Sequence, residues 1–139
     1  MRSLLLILLS LSFTVGCDTN DEVVEPTSCD FSSIAGTWTG ASPFGEDQSM
    51  TLQAQADFDA SIGTNVFSND GGPALCTFDV QCKPSESEGV FLVFNEAVST
   101  GACLEGWYTM TPTASGALAV DLHLTEDGDT IQSYELTQE

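Results

Sequence analysis

The 139-residue sequence predicts an all-β domain: an antiparallel, up-and-down barrel of about eight strands with two disulfides. Three observations carry this. From Ser32 onward the apolar residues recur with a period of two, not the helical period of about 3.6. Clusters of turn-forming residues separate the apolar segments at short intervals. No segment keeps helical spacing over three turns. Short strands with tight links of this kind build antiparallel barrels or sandwiches.

The elements follow in chain order. Arg2, the apolar run Leu4–Phe13 and the small residues Thr14-Val15-Gly16 have the three parts of a secretion signal, residues 1–16. That run is too short for a membrane-spanning helix, which needs about 20 residues. The longest later apolar run, Val90–Phe94, is shorter still. The expectation is an exported chain whose membrane contact comes from a lipid. Residues 17–28 follow as an acidic stretch interrupted by Pro26, which reads as a flexible tether. Residues 29–139 form one β domain, long enough to bury a core.

Within it, Met50, Leu52, Ala54, Ala56 and Phe58 alternate with polar residues and predict a strand over Met50–Phe58. Leu118, Val120, Leu122 and Leu124 predict a second, in the same half-wet pattern. Weaker signals cover Ile34–Ala41, Ile62–Ser68, Leu75–Lys83, Val90–Val98, Cys103–Thr111 and Thr130–Thr137. Between them stand Asn69-Asp70-Gly71-Gly72-Pro73, Pro84-Ser85, Thr100-Gly101, Ser115-Gly116 and Glu126-Asp127-Gly128-Asp129. The Asp127-Gly128 pair reads as a hairpin turn with a positive-φ glycine.

Five cysteines leave one over in an exported protein. Cys17, at the cleavage point and ahead of the domain, is the odd one. Cys76 and Cys82 share the parity of Phe78 and Val80, so all four face one way. On one continuous strand they stand roughly 20 Å apart, beyond the reach of about 7 Å that a disulfide allows. In an up-and-down meander Cys29 and Cys82 lie at one end, Cys76 and Cys103 at the other. Pairing within each end predicts Cys29–Cys82 and Cys76–Cys103, with the Gly101-Ala102 loop folding over the intervening strand. Zinc is disfavoured: Cys76 and Cys82 are spaced too widely for a structural site, and the compartment oxidises thiols.

The charge is extreme, −19 with 21 acidic residues and two basic ones. Every acid lies after Cys17, and loss of Arg2 leaves Lys83 as the sole basic side chain. Nucleic acid is excluded as a partner, since phosphate contacts need Lys and Arg. Docking to anionic lipid by charge is disfavoured likewise. No cofactor is expected.

Candidate chemistry is sparse. His123 is the only histidine, with Asp121 two residues earlier on the same polar strand face. The pair matches an acid–imidazole arrangement, but no G-x-S-x-G elbow accompanies it, and a solvated histidine is the favoured reading. Asp57, Asp59 and the run Glu126, Asp127, Asp129 are acidic enough for calcium but lack an EF-hand loop. Trp38, Phe58, Phe67, Phe78, Phe91, Phe94, Trp107 and Tyr108 are enough aromatics to pack a core. An eight-strand barrel either fills its interior or holds one small ligand; these bulky residues favour filling.

Three resemblances add to this. Thr14-Val15-Gly16-Cys17 resembles a bacterial lipobox, with Thr14 in place of the usual aliphatic residue. It implies a lipid on Cys17, palmitate included, and a place in the bacterial cell envelope. The same small residues also suit ordinary signal peptidase. Gly36-Thr37-Trp38-Thr39-Gly40 resembles the G-x-W opening of lipocalin-like barrels, which implies that Trp38 closes the barrel base. Lipocalins stack a late arginine on that residue, and the mature chain has none. GTWTG followed by Gly101-Ala102-Cys103-Leu104-Glu105-Gly106-Trp107-Tyr108-Thr109-Met110 is similar to small, uncharacterised β domains of secreted bacterial proteins and lipoproteins. The expected function is non-catalytic: a lipid-anchored domain that binds a small apolar ligand or an envelope protein. The alternative is a protein-binding module, such as an inhibitor of an envelope or secreted hydrolase.

Overall fold

The computed structural model describes residues 25–139; Cys17 and the expected signal lie outside the described residues. Ten strands follow in order: β1 Ser28–Asp30, β2 Gly36–Ala41, β3 Asp47–Leu52, β4 Gln55–Asp57, β5 Ser61–Ser68, β6 Ala74–Lys83, β7 Phe91–Ala97, β8 Gly106–Pro112, β9 Ala117–His123 and β10 Thr130–Gln138. Eight of them close an antiparallel barrel in the order β10-β2-β3-β5-β6-β7-β8-β9. Every strand neighbours its successor in the meander, and the first and last close it through Thr137 beside Thr39 and Gln138 beside Trp38. Closure removes the exposed edges of an open sheet.

The expected disulfides are present. Cys29–Cys82 joins Cα atoms 6.2 Å apart at one end, and Cys76–Cys103 joins Cα atoms 5.7 Å apart at the other. The first end is the base, where β2 begins and β6 finishes; the second is the mouth.

The expected strand over Met50–Phe58 divides. β3 stops at Leu52, and Gln55–Asp57 turns away to pair with Ser28–Asp30 outside the barrel. The alternation is unbroken in sequence because both pieces keep one face against apolar side chains. A close approach at β5 accompanies the break: a Cβ on Gly63 would meet the Thr51 carbonyl oxygen at 1.9 Å, and β5 bulges there against β6. β8 begins at Gly106, three residues later than expected, because Cys103 sits in the loop that crosses β7 to reach β6. β9 ends before Leu124, which is exposed.

The interior is not uniform. At the base Ile34, Trp38, Met50, Leu52, Ile62, Val80, Cys82, Val93, Met110, Leu118, Val120 and Leu136 form one buried cluster, each between 0 and 4% exposed. Phe31 covers them, edge-on to Phe91 with ring centroids 5.0 Å apart. Two expected core aromatics lie elsewhere. Phe94 and Trp107 are cross-strand partners on the outer barrel wall, 5.2 Å between centroids, because their even and odd positions in β7 and β8 point outward.

Candidate functional site

Two segments frame the mouth cavity. The Ser42–Glu46 loop is a tight turn in which the Ser42 amide donates to the Glu46 carbonyl at 2.8 Å. The Ser42 hydroxyl donates to the Glu46 carboxylate at 2.7 Å and holds it toward the cavity. The loop after β7 is pinned by Cys76–Cys103 and by the Thr77 amide, which donates to Ser99 Oγ at 3.1 Å. Between them opens a cavity of about 260 Å³ lined by Phe44, Glu46, Phe67, Phe78, Leu104, Tyr108 and Leu122, with Cys76 and Ala102 at its edge. Its volume falls just under the range of about 300–1,000 Å³ typical of drug-sized ligands. The filled interior expected from the aromatics therefore applies to the base, whereas Phe67, Phe78 and Tyr108 line an opening.

Beside this cavity, but not lining it, the inner wall carries polar side chains. Gln48 is the cross-strand partner of Phe67, and Asn65 of Phe78. Asn95 faces Tyr108, and Tyr134 lies beside both Gln48 and Tyr108. Gln48 is 2% exposed, Asn65 and Asn95 0%. Gln48 Nε2 donates to Asn65 Oδ1 at 3.0 Å. The Tyr108 hydroxyl stands beside the Asn95 amide and the Tyr134 hydroxyl beside Gln48. Gln48 Oε1, Asn65 Nδ2 and both ends of the Asn95 amide have no partner among the described residues. Burial pushes both phenols above the ordinary tyrosine value, Tyr134 well above it, because a phenolate would lose its water.

No family model matches this chain, no curated protein is similar to it, and no solved structure is. The site therefore stands on its own geometry.

The other sequence candidates fall away from the mouth or apart from one another. Trp38 is 4% exposed near the base, and its indole donates to the Ile34 carbonyl at 2.8 Å. Asp121 and His123 do not pair. Asp121 accepts from Ser133 on β10, while His123 is half-buried between Thr109 Oγ1 at 3.0 Å and the Gly128 carbonyl at 2.8 Å. A carbonyl only accepts, so Nδ1 donates its proton to Gly128. The expected solvated histidine is instead a clasp for the turn after β9. Gly128 in that turn does not take positive φ. Glycine suits the position because a Cβ would press on the Thr125 hydroxyl and lie 3.2 Å from its carbonyl oxygen. Asp59 is engaged by Lys83, which also lies 5.8 Å over the Trp107 ring. Among the described residues no three acidic, histidine or cysteine groups converge as metal ligands.

Gln48, Asn65, Asn95 and Tyr134 were not legible as a site from the strand pattern. Their one signal is parity. Gln48 shares the face of Met50 and Leu52, Asn65 that of Phe67, and Asn95 that of Val93, so each is a polar residue on an inward position.

Proposed function

We propose that this chain is an exported lipoprotein, anchored in the bacterial cell envelope through a lipid on Cys17, whose barrel carries a small apolar ligand without catalysing a reaction on it. One observation supports this above others: the apolar cavity opens into an apolar rim. The large hydrophobic residues most exposed among the described ones are Phe44, Leu75, Val98, Leu104, Leu124 and Ile131. All six lie in or beside the segments that join strands at the mouth. Exposed apolar residues gathered at one place mark a binding surface rather than scattered surface chemistry. The chain enters the barrel on the opposite side, at Ser28. A tether there leaves the mouth free to take up its ligand.

A protein-binding module, such as an inhibitor of an envelope or secreted hydrolase, is the second reading, and the same exposed rim favours it. Native mass measurement on protein purified from its host separates them. An added small-molecule mass supports the carrier; bare protein with a co-purifying partner chain supports the module and overturns the carrier. Metabolic palmitate labelling tests the anchor. Label on the wild type and none on Cys17→Ser is expected, and a Cys17→Ser chain that still labels refutes it.

A further inference from the structure

We infer that the mouth cavity binds an amphiphilic organic cation, its ammonium beside the Glu46 carboxylate and its apolar body against Phe44, Phe67 and Phe78. This rests on the ligand-carrier reading and adds the charge and chemical class of the ligand.

The cavity sets one carboxylate among aromatic rings. Phe44, Phe67, Phe78 and Tyr108 line it, and among the described residues Glu46 is the only charged one that does. The face of an aromatic ring is negative and attracts a cation within about 6 Å. A carboxylate adds a full charge of the same sign. Both features draw an ammonium and repel an anion.

Ser42 builds this arrangement before any ligand arrives. It is 5% exposed. Its hydroxyl accepts from the Phe44 amide at 3.2 Å and from the Glu46 amide at 3.3 Å, and donates to Glu46 Oε2 at 2.7 Å. Gly45 between them takes a φ of +89°, so the chain turns tightly and residues 44 and 46 both reach the cavity. The other carboxylate oxygen, Oε1, accepts no hydrogen bond among the described residues.

The chain supplies no cation of its own here. The loops at this end, 42–46, 69–73, 98–105 and 124–129, contain no lysine or arginine. Lys83 is engaged with Asp59. Burial raises the Tyr108 phenol above its ordinary value, and the Glu46 charge adds to that rise, so the carboxylate acts on the cavity wall. An apolar body entering the cavity takes water from Glu46, which is costly unless an opposite charge replaces that water. A cationic head offsets the cost, a neutral head leaves it standing, and an anionic head adds repulsion. The charge of −19 on the whole chain steers cations inward. The cavity volume of about 260 Å³ equals that of about nine waters, at about 30 Å³ each. That suits a short ligand, on the order of eight carbons.

The test uses the full chain, exported and purified. A neutral fluorescent naphthylamine is bound first and displaced at neutral pH with octylammonium, octanol or octanoate. The solution holds about 1 M salt, where the Debye length is about 3 Å and distant surface charge is screened. Octylammonium is expected to displace the probe at least about tenfold more effectively than octanol, and octanoate least of all. Glu46→Gln is expected to weaken octylammonium about tenfold and leave octanol unchanged. Asp70→Asn removes the same charge from a loop at the same end, outside the cavity lining, and is expected to leave both compounds unchanged. Octanol or octanoate displacing as well as octylammonium overturns the inference and leaves the carrier reading standing. So does a loss in Asp70→Asn as large as in Glu46→Gln, because the attraction then belongs to the whole surface. Failure of the probe and all three compounds to bind overturns the carrier reading itself. Should Glu46→Gln fail to fold, the wild-type ranking of the three compounds decides alone.

Discussion

The two ends of this barrel are made by the same meander and the same kind of disulfide, yet they are opposites inside. At the base Ile34, Met50, Ile62, Leu118 and Leu136 have no exposure, and the Ser28–Ala35 segment covers them. At the mouth the inner wall carries Gln48, Asn65 and Asn95 with unpaired atoms, and the rim exposes Phe44 and Leu104 at 62% each. The base places apolar groups in and polar groups out; the mouth keeps apolar groups inside, adds three buried amides to the inner wall and exposes apolar side chains at its rim. A barrel tolerates that difference because its backbone hydrogen bonds close around the circumference and do not depend on what fills each layer. The fully buried apolar packing is concentrated at one end.

The sharpest way to break this comparison is at the base. Trp38→Ala should cost about 3–5 kcal/mol, the range for deleting a buried large aromatic, and it also leaves the Ile34 carbonyl without its indole donor. Denaturant unfolding measures it; a cost under about 1 kcal/mol would show that the base is not the stabilising end.

The disulfides come next. Cys29–Cys82 spans 53 residues and Cys76–Cys103 spans 27. Chain entropy alone assigns removal of each roughly 3.5–4 kcal/mol, with the base bridge slightly the larger. Exposure separates them more. Cys29 and Cys82 are buried, whereas Cys76 and Cys103 are half-buried beside the mouth cavity. Graded reductant with thiol labelling should open Cys76–Cys103 first. Labelling of Cys29 and Cys82 at the lower concentration would reverse the assignment of stability between the ends.

The polar layer gives an effect of intermediate size, through pH. Tyr108 and Tyr134 are the chain's two tyrosines, and both have raised values in the folded state. The folded protein then holds their protons more tightly than the unfolded chain. Their contribution is present in full below the ordinary tyrosine value of 10.0 and is lost as pH rises above it. Phenolate absorbance should appear late and together with the unfolding signal. A smooth early titration of either phenol, with the fold intact, would mean that the layer is open to water.

The smallest effect belongs to the rim. Phe44→Ser and Leu104→Ser should change stability by no more than about 0.5 kcal/mol, as for exposed positions generally, while weakening uptake of an apolar probe. The reverse pattern, stability lost and uptake kept, would place these side chains in the fold and not in the binding surface.

Much of this molecule is written in local pattern. Alternation along β6 from Cys76 to Cys82, and along β9 from Leu118 to Leu122, is the direct consequence of a strand with one wet face, so the element type is legible without a structure. The disulfide pairing is legible for a related reason: strand length and up-and-down order decide which cysteines share an end. What misled was continuity. Met50 to Phe58 alternates without a break, but a period of two records which face is apolar, not which neighbour the strand pairs with. The change of partner after Leu52, from β5 to Ser28–Asp30, is invisible in it. Parity alone likewise cannot separate wall from core: Phe94 and Trp107 are as apolar as Phe67 and Phe78, yet they face outward.

By itself, then, the sequence determined the all-β class, the meander order and the two bridges, because these follow from short-range alternation, turn chemistry and chain length. Only the tertiary structure decided that the barrel is filled at one end and open at the other. That depends on how residues far apart in the chain meet across the interior. Gln48, Asn65, Asn95 and Tyr134 come from β3, β5, β7 and β10 and are a layer only once the barrel has closed.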